Sequence, residues 1–245
     1  MPPTPSRIAQ ALCGAACALA LVGAAPSAAE YAFPITDAYL ATVIGTPPAL
    51  RAPVPERIPV RVRSLELHAD RKIPSIFWHE RTFHYSVAAQ AERAPLVFLI
   101  AGTGARYDSE KMVFLQKALY QAGLSVVNIT SPTQVDFITT ASSSSVPGFM
   151  DADVRDLYEA MRRIRAQIEE KVDVSAFYLA GYSLGGTQSA FLGRLDAREG
   201  AFGFEKILLI NPSVSLYTSA RIFDEMLRRS IPGGVPDLQR LVNDL

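Results

Sequence analysis

The hydrophobic pattern of the chain changes rhythm near residue 95. Before it, apolar residues come in short runs that partly alternate with charged ones: Val60, Val62, Leu65 and Leu67, then Ile76-Phe77-Trp78, then Phe83-His84-Tyr85-Ser86-Val87. Such runs predict two or three antiparallel strands over residues 58–90. After it, a continuous apolar run at 96–100 and largely apolar runs at 124–129, 174–180 and 206–211 alternate with helical segments. Runs of that kind suit strands buried on both faces, and the alternation predicts a mostly parallel sheet with helices on both sides.

The helical segments differ in strength. Met150, Val154, Leu157, Met161, Ile164 and Ile168 recur at steps of four and three, which places them on one stripe facing the core. Glu159 and Arg163 form an i,i+4 pair on the opposite face. A second helix runs from Asp108 or Ser109 to Ala122, with Met112, Leu115 and Leu119 on one face and Gly123 as its stop. A third spans 185–195. The last thirty residues, with Ile222, Phe223, Met226 and Leu227, predict one amphipathic helix and a proline-glycine turn. Residues 131–149, which include Ser142-Ser143-Ser144-Ser145, are expected to be a loop. Leaving the C-terminal end of a parallel strand, it would wall the crevice where ligands bind.

The N-terminal third divides into two further segments. Residues 1–29 have the form of a secretory signal: Arg7, an apolar alanine-rich run from 8 to 25, then Ser27-Ala28-Ala29 before Glu30. An exported protein, periplasmic or secreted, is expected. After cleavage no stable membrane anchor would remain. An uncleaved anchor is the main rival, but the run is poor in Leu, Ile and Phe. Residues 30–57 form a proline-rich arm whose apolar residues, among them Tyr31, Phe33, Tyr39, Leu40, Val43 and Ile44, suit packing on the domain at 58–245.

Composition removes several classes of function. Of 245 residues 49% are hydrophobic and 20% charged, and the formal net charge is zero, so there is no electrostatic case for a nucleic-acid partner. Both cysteines, Cys13 and Cys17, lie in the signal region, which leaves the rest without a disulfide, thiolate metal site or cysteine nucleophile. The histidines, His68, His79 and His84, all fall among the early strands and lack metal-ligand spacing, so no metal is expected.

The chemistry concentrates at Val174-Ser175-Ala176-Phe177-Tyr178-Leu179-Ala180-Gly181-Tyr182-Ser183-Leu184-Gly185-Gly186. This reads as a buried strand, a tight turn and a helix start, with Ser183 at the apex of a Gly-x-Ser-x-Gly pattern. Gly181 and Gly185 allow a strand and helix to cross too closely for side chains. Here the chain resembles the α/β-hydrolase superfamily over residues 58–245. The resemblance implies antiparallel first strands, a serine nucleophile at Ser183 and an oxyanion hole. One N–H would come from Leu184. The other would come from Gly102 or Thr103 in Ala101-Gly102-Thr103-Gly104, the loop after an earlier central strand. The rival reading of that loop as a dinucleotide turn lacks its third glycine, where Tyr107 stands. It also lacks the acid after the next strand, which ends Asn128-Ile129-Thr130.

The resemblance also implies an acid and a histidine after the nucleophile. No histidine follows Ser183, and Asp196, Asp224, Asp237 and Asp244 end no recognisable strand, so the triad acid and base are not assigned. Two strands of the superfamily sheet are missing after 206–211. An exposed apolar sheet edge is expected there, and a truncated chain is the preferred reading. The expected function is an exported serine hydrolase of esterase or lipase type. It would need no cofactor and would act on a small-molecule or lipid-like acyl substrate. The alternative is a non-catalytic binding or scaffold protein of the same fold.

Overall fold

The computed structural model describes residues 34–37, 40, 41, 44–79 and 81–243. The signal segment at 1–29 and the arm residues Tyr31, Phe33, Tyr39 and Val43 lie outside them. Contacts divide the chain between Ala52 and Pro53. In the first unit a 3-10 turn spans Pro48–Leu50, and Leu40 and Ile44 are about half exposed.

The second unit is built on a six-stranded sheet. Its strands are β1 (Val60–Leu65), β2 (Phe83–Ala88), β3 (Ala94–Ile100), β4 (Ser125–Ile129), β5 (Val174–Tyr182) and β6 (Lys206–Ile210), in the spatial order β1-β2-β4-β3-β5-β6. β1 and β2 are antiparallel, β2 is antiparallel to β4, and β4, β3, β5 and β6 run parallel. The expected mixed sheet, with antiparallel strands first, is present.

The helices are α1 (Glu110–Gln121), α2 (Val135–Thr140), α3 (Met150–Ile168), α4 (Leu184–Glu199), α5 (Leu216–Ser230) and α6 (Val235–Asn243). Strand alternation sorts the central residues into two cores. Leu96, Phe98 and Ile100 of β3 join Val127, Ile129 and Leu179 on one face, under the α3 stripe and Leu192 and Leu195 of α4. Val97 and Leu99 join Val126 and Ala180 on the other, under Met112 of α1. Both faces of the sheet are therefore covered, as continuous apolar strands require. Among the described residues no helix is long and apolar enough to cross a membrane.

Three expectations of local structure are corrected. Ile76-Phe77-Trp78 is not a strand. Pro74, with φ −54°, starts a 3-10 turn over Ser75–Phe77, and Ile76 and Trp78 point outward at 71% and 68% exposure. Residues 131–149 are not all loop, because α2 lies inside them. There Thr139 and Thr140 donate their hydroxyls back to backbone carbonyls at Val135 and Asp136, a local bond that a polarity pattern hides. The C-terminal thirty residues hold two helices, separated at Gly234, whose φ is +71°.

Candidate active site

β5 and α4 meet at Ser183, whose φ of 53° and ψ of −124° lie in a region that side chains avoid. The turn can be this tight only because of its glycines. A Cβ on Gly181 would lie 2.2 Å from the carbonyl oxygen of Gly185, and one on Gly185 would lie 2.3 Å from that of Ile100. Ser183 occupies the N-cap position of α4, where a serine hydroxyl ordinarily caps the helix, yet its side chain makes no cap bond. The residue is exposed, so its hydroxyl is free to meet a ligand.

The loop after β3 runs alongside. A Cβ added to Gly102 would stand 3.1 Å from Ser183 Cβ and 2.7 Å from the Tyr182 ring. Glycine at 102 thus lets the backbone come up to the serine. Among the described residues no protein acceptor takes the N–H of Gly102, Thr103 or Leu184. These three are the N–H groups singled out from the sequence, and the fold brings their two segments to one end of the sheet. An N–H at a helix start carries partial positive charge, which suits a developing oxyanion.

The remaining candidates lie elsewhere. His84 is on β2, three strands from β5, roughly 14 Å away at about 4.8 Å per strand. The Nε2 of His68 lies 3.3 Å from the carbonyl oxygen of Ala141, and His79 stacks edge-on to Trp78 at 5.6 Å. Asp196 is buried and engaged. Its carboxylate accepts from the Tyr158 hydroxyl at 2.6 Å and from the N–H groups of Phe202, Gly203 and Phe204 at 2.9, 2.8 and 3.2 Å. Burial, and then this bond to Asp196, push the Tyr158 phenol up to about 12. Asp237 accepts from Gly233 N–H and pairs with Arg240, Asp224 is exposed on α5, and Asp244 is outside the described residues. Among the described residues no cluster of three or more His, Cys, Asp or Glu is placed to hold a metal.

The 131–149 segment has two parts. Its start touches the loop beside Ser183: Gly104 N–H donates to Thr133 Oγ1 at 2.8 Å and Ser131 N–H to the Ala105 carbonyl at 3.0 Å. Its serine-rich end is tied to α3, where Asp156 accepts from Ser143 N–H at 2.8 Å and Asp153 from Gly148 N–H at 2.9 Å. A cleft of about 330 Å³ lined by Asp151, Arg155, Phe191, Arg194 and Arg198 lies between α3 and α4 and takes no residue from the serine turn.

The sheet order, the parallel core and the serine turn after β5 define the α/β-hydrolase fold. No family model matches the sequence, and no curated protein matches it. Among solved structures the chain is similar to an esterase from Butyrivibrio proteoclasticus, with 16% identity, a TM-score of 0.40, and 57% of this chain and 51% of that one covered. It is also similar to a hyperthermophilic esterase from the archaeon Pyrobaculum calidifontis, at 21%, 0.43, 64% and 45%. A third is brefeldin A esterase, described as a bacterial homologue of human hormone-sensitive lipase, at 16%, 0.45, 70% and 47%. The chain spans about half the length of these proteins.

Proposed function

We propose that this chain carries the nucleophile and oxyanion hole of an exported serine hydrolase acting on an ester or related acyl bond of a small or lipid-like substrate. The observation that carries the reading is Ser183 itself. It has a strained backbone at φ 53°, a hydroxyl unused as a helix cap, and Gly102 closed up against it. Strain of this kind costs on the order of 1–3 kcal/mol and persists where the surroundings impose it.

In the reaction, Ser183 Oγ would bond to the acyl carbon while the carbonyl oxygen takes up charge, held by the N–H of Leu184 and of Gly102 or Thr103. The serine proton passes to a base and then to the departing alcohol as its bond to the acyl carbon breaks. Water next attacks the acyl-serine, releasing acid and restoring the hydroxyl. His68 and His79 are engaged elsewhere and His84 is three strands away, so the reading calls for a base supplied from outside these 245 residues. Without it, turnover should fall by a factor on the order of 10⁶. Export rests on the sequence pattern of residues 1–29 alone.

The second reading, a binding protein that keeps the fold without the chemistry, is favoured by the engagement of Asp196 in a structural bond network. Hydrolysis of nitrophenyl acyl esters by the protein isolated from its exported fraction separates the two. Release abolished by Ser183→Ala supports the enzyme. No Ser183-dependent release from any acyl length supports the binding protein.

A further inference from the structure

The segment 128–133 was notable in the sequence only for lacking an acid. Structurally it grips the loop beside Ser183 at four points. Asn128 on β4 and Thr130 just beyond it share one strand face, two residues apart. Asn128 Nδ2 donates to the Tyr107 carbonyl at 3.0 Å and to that of Met112 at 3.3 Å. Thr130 Oγ1 accepts from Tyr107 N–H at 3.1 Å and donates to the buried carboxylate of Asp136 at 3.4 Å. Both polar groups of the Tyr107 backbone are therefore held by β4 and the residue just beyond it. Ser131 N–H and Thr133 Oγ1 then hold Ala105 and Gly104.

We propose that Asn128, Thr130 and Thr133 are positioning residues, which hold the loop at 101–108 so that the N–H of Gly102 or Thr103 faces the oxyanion formed at Ser183. The proposal rests on the hydrolase reading above. Two features distinguish the grip from ordinary packing. Asn128 and Thr130 are fully buried, where an unmade bond is costly. Asn128 Nδ2 is spent on that loop and on α1 behind it, while its Oδ1 has no partner among the described residues, and Thr130 Oγ1 links that loop to Asp136. The carboxylate–hydroxyl–amide chain from Asp136 also polarises in one direction, strengthening the bond to Tyr107. Gly102 and Gly104 flank Thr103 and give the loop little stiffness of its own, so its conformation must be imposed from outside.

The test measures two things in the full protein as it is made. One is amide hydrogen exchange over residues 101–109. The other is the rate at which a fluorophosphonate modifies Ser183, a step in which the Oγ–P bond forms, fluoride leaves and the hydroxyl proton goes to base or solvent. Thr130→Val should speed exchange in that loop on the order of ten-fold and slow phosphonylation by about as much, while β5 and α4 stay protected. Thr130→Ser should behave as the wild type. Thr133→Val, at a partly exposed site, should act on Gly104 in the same direction and decides the matter if Thr130→Val does not fold. Unchanged exchange, or faster exchange with an unchanged phosphonylation rate, would overturn the positioning role and leave the hydrolase reading intact. A wild-type protein supplied with its histidine base and still unmodified at Ser183 would overturn both.

Discussion

Ser183 donates its N–H to the carbonyl of Ile210 at 2.9 Å, which ties the apex of the serine turn to the last strand of the sheet. That strand is exposed. Ile207, Leu208 and Leu209 are 40%, 49% and 39% accessible, although their neighbours in β5 are largely covered. An apolar terminal strand with free backbone groups invites edge pairing. The 245-residue chain should therefore self-associate as its concentration rises, and Leu208→Lys should reduce this without lowering the unfolding midpoint. Light scattering against concentration checks the first effect and denaturant unfolding the second.

The serine turn should tolerate no side chain at its glycines. Gly181→Ala and Gly185→Ala would each drive a Cβ to within 2.2–2.3 Å of a backbone oxygen, which no rotamer change relieves. Each should lose about 1–3 kcal/mol or more of stability. Gly104→Ala, where a Cβ meets nothing within 4 Å but φ is +66°, should lose only the strain, about 1 kcal/mol. Chemical denaturation of the three variants orders them.

The strain at Ser183 is separable from its chemistry. Ser183→Gly should be more stable than Ser183→Ala by about 1 kcal/mol, because glycine accepts φ 53° freely. The ordinary effect of glycine on the unfolded chain runs the other way, so an alanine variant more stable by that full effect, about 0.4–1 kcal/mol, would show that the turn is relaxed in solution.

High pH should unfold the domain through two buried tyrosines. Burial pushes the Tyr85 phenol up to about 12, with Arg63 opposing, and burial followed by Asp196 raises Tyr158 to about 12. In the unfolded chain both ionise near 10. Between these values the unfolded state holds fewer protons, so stability falls as pH rises from about 10 to 12 and is unaffected by these groups below that. Tyr158→Phe should flatten part of the slope in denaturant titrations across that range.

Much of this was legible in the residues. The α3 stripe stood out because six apolar positions at helical spacing have one physical solution. The serine turn stood out because glycine on both sides of a serine, between an apolar strand and a helix, has few other uses. What could not be read depended on partners distant in sequence. Asn128 and Thr130 look like an ordinary strand end until Tyr107, some twenty residues earlier, is folded against them. Asp196 looks like a candidate acid until Tyr158 and the 202–204 backbone enclose it. Ile76-Phe77-Trp78 has strand composition, but Pro74 starts a 3-10 turn there, and Ile76 and Trp78 are exposed among the described residues.

The most direct measurement of the central claim is the site of covalent modification after treatment with a fluorophosphonate, mapped by mass spectrometry of the peptide containing Ser183. The expected result is one adduct per chain on Ser183, absent from Ser183→Ala, and formed faster in any form of the protein that supplies a histidine. Absence of an adduct from a histidine-supplied form, or an adduct that persists in Ser183→Ala, would contradict the assignment of Ser183 as nucleophile.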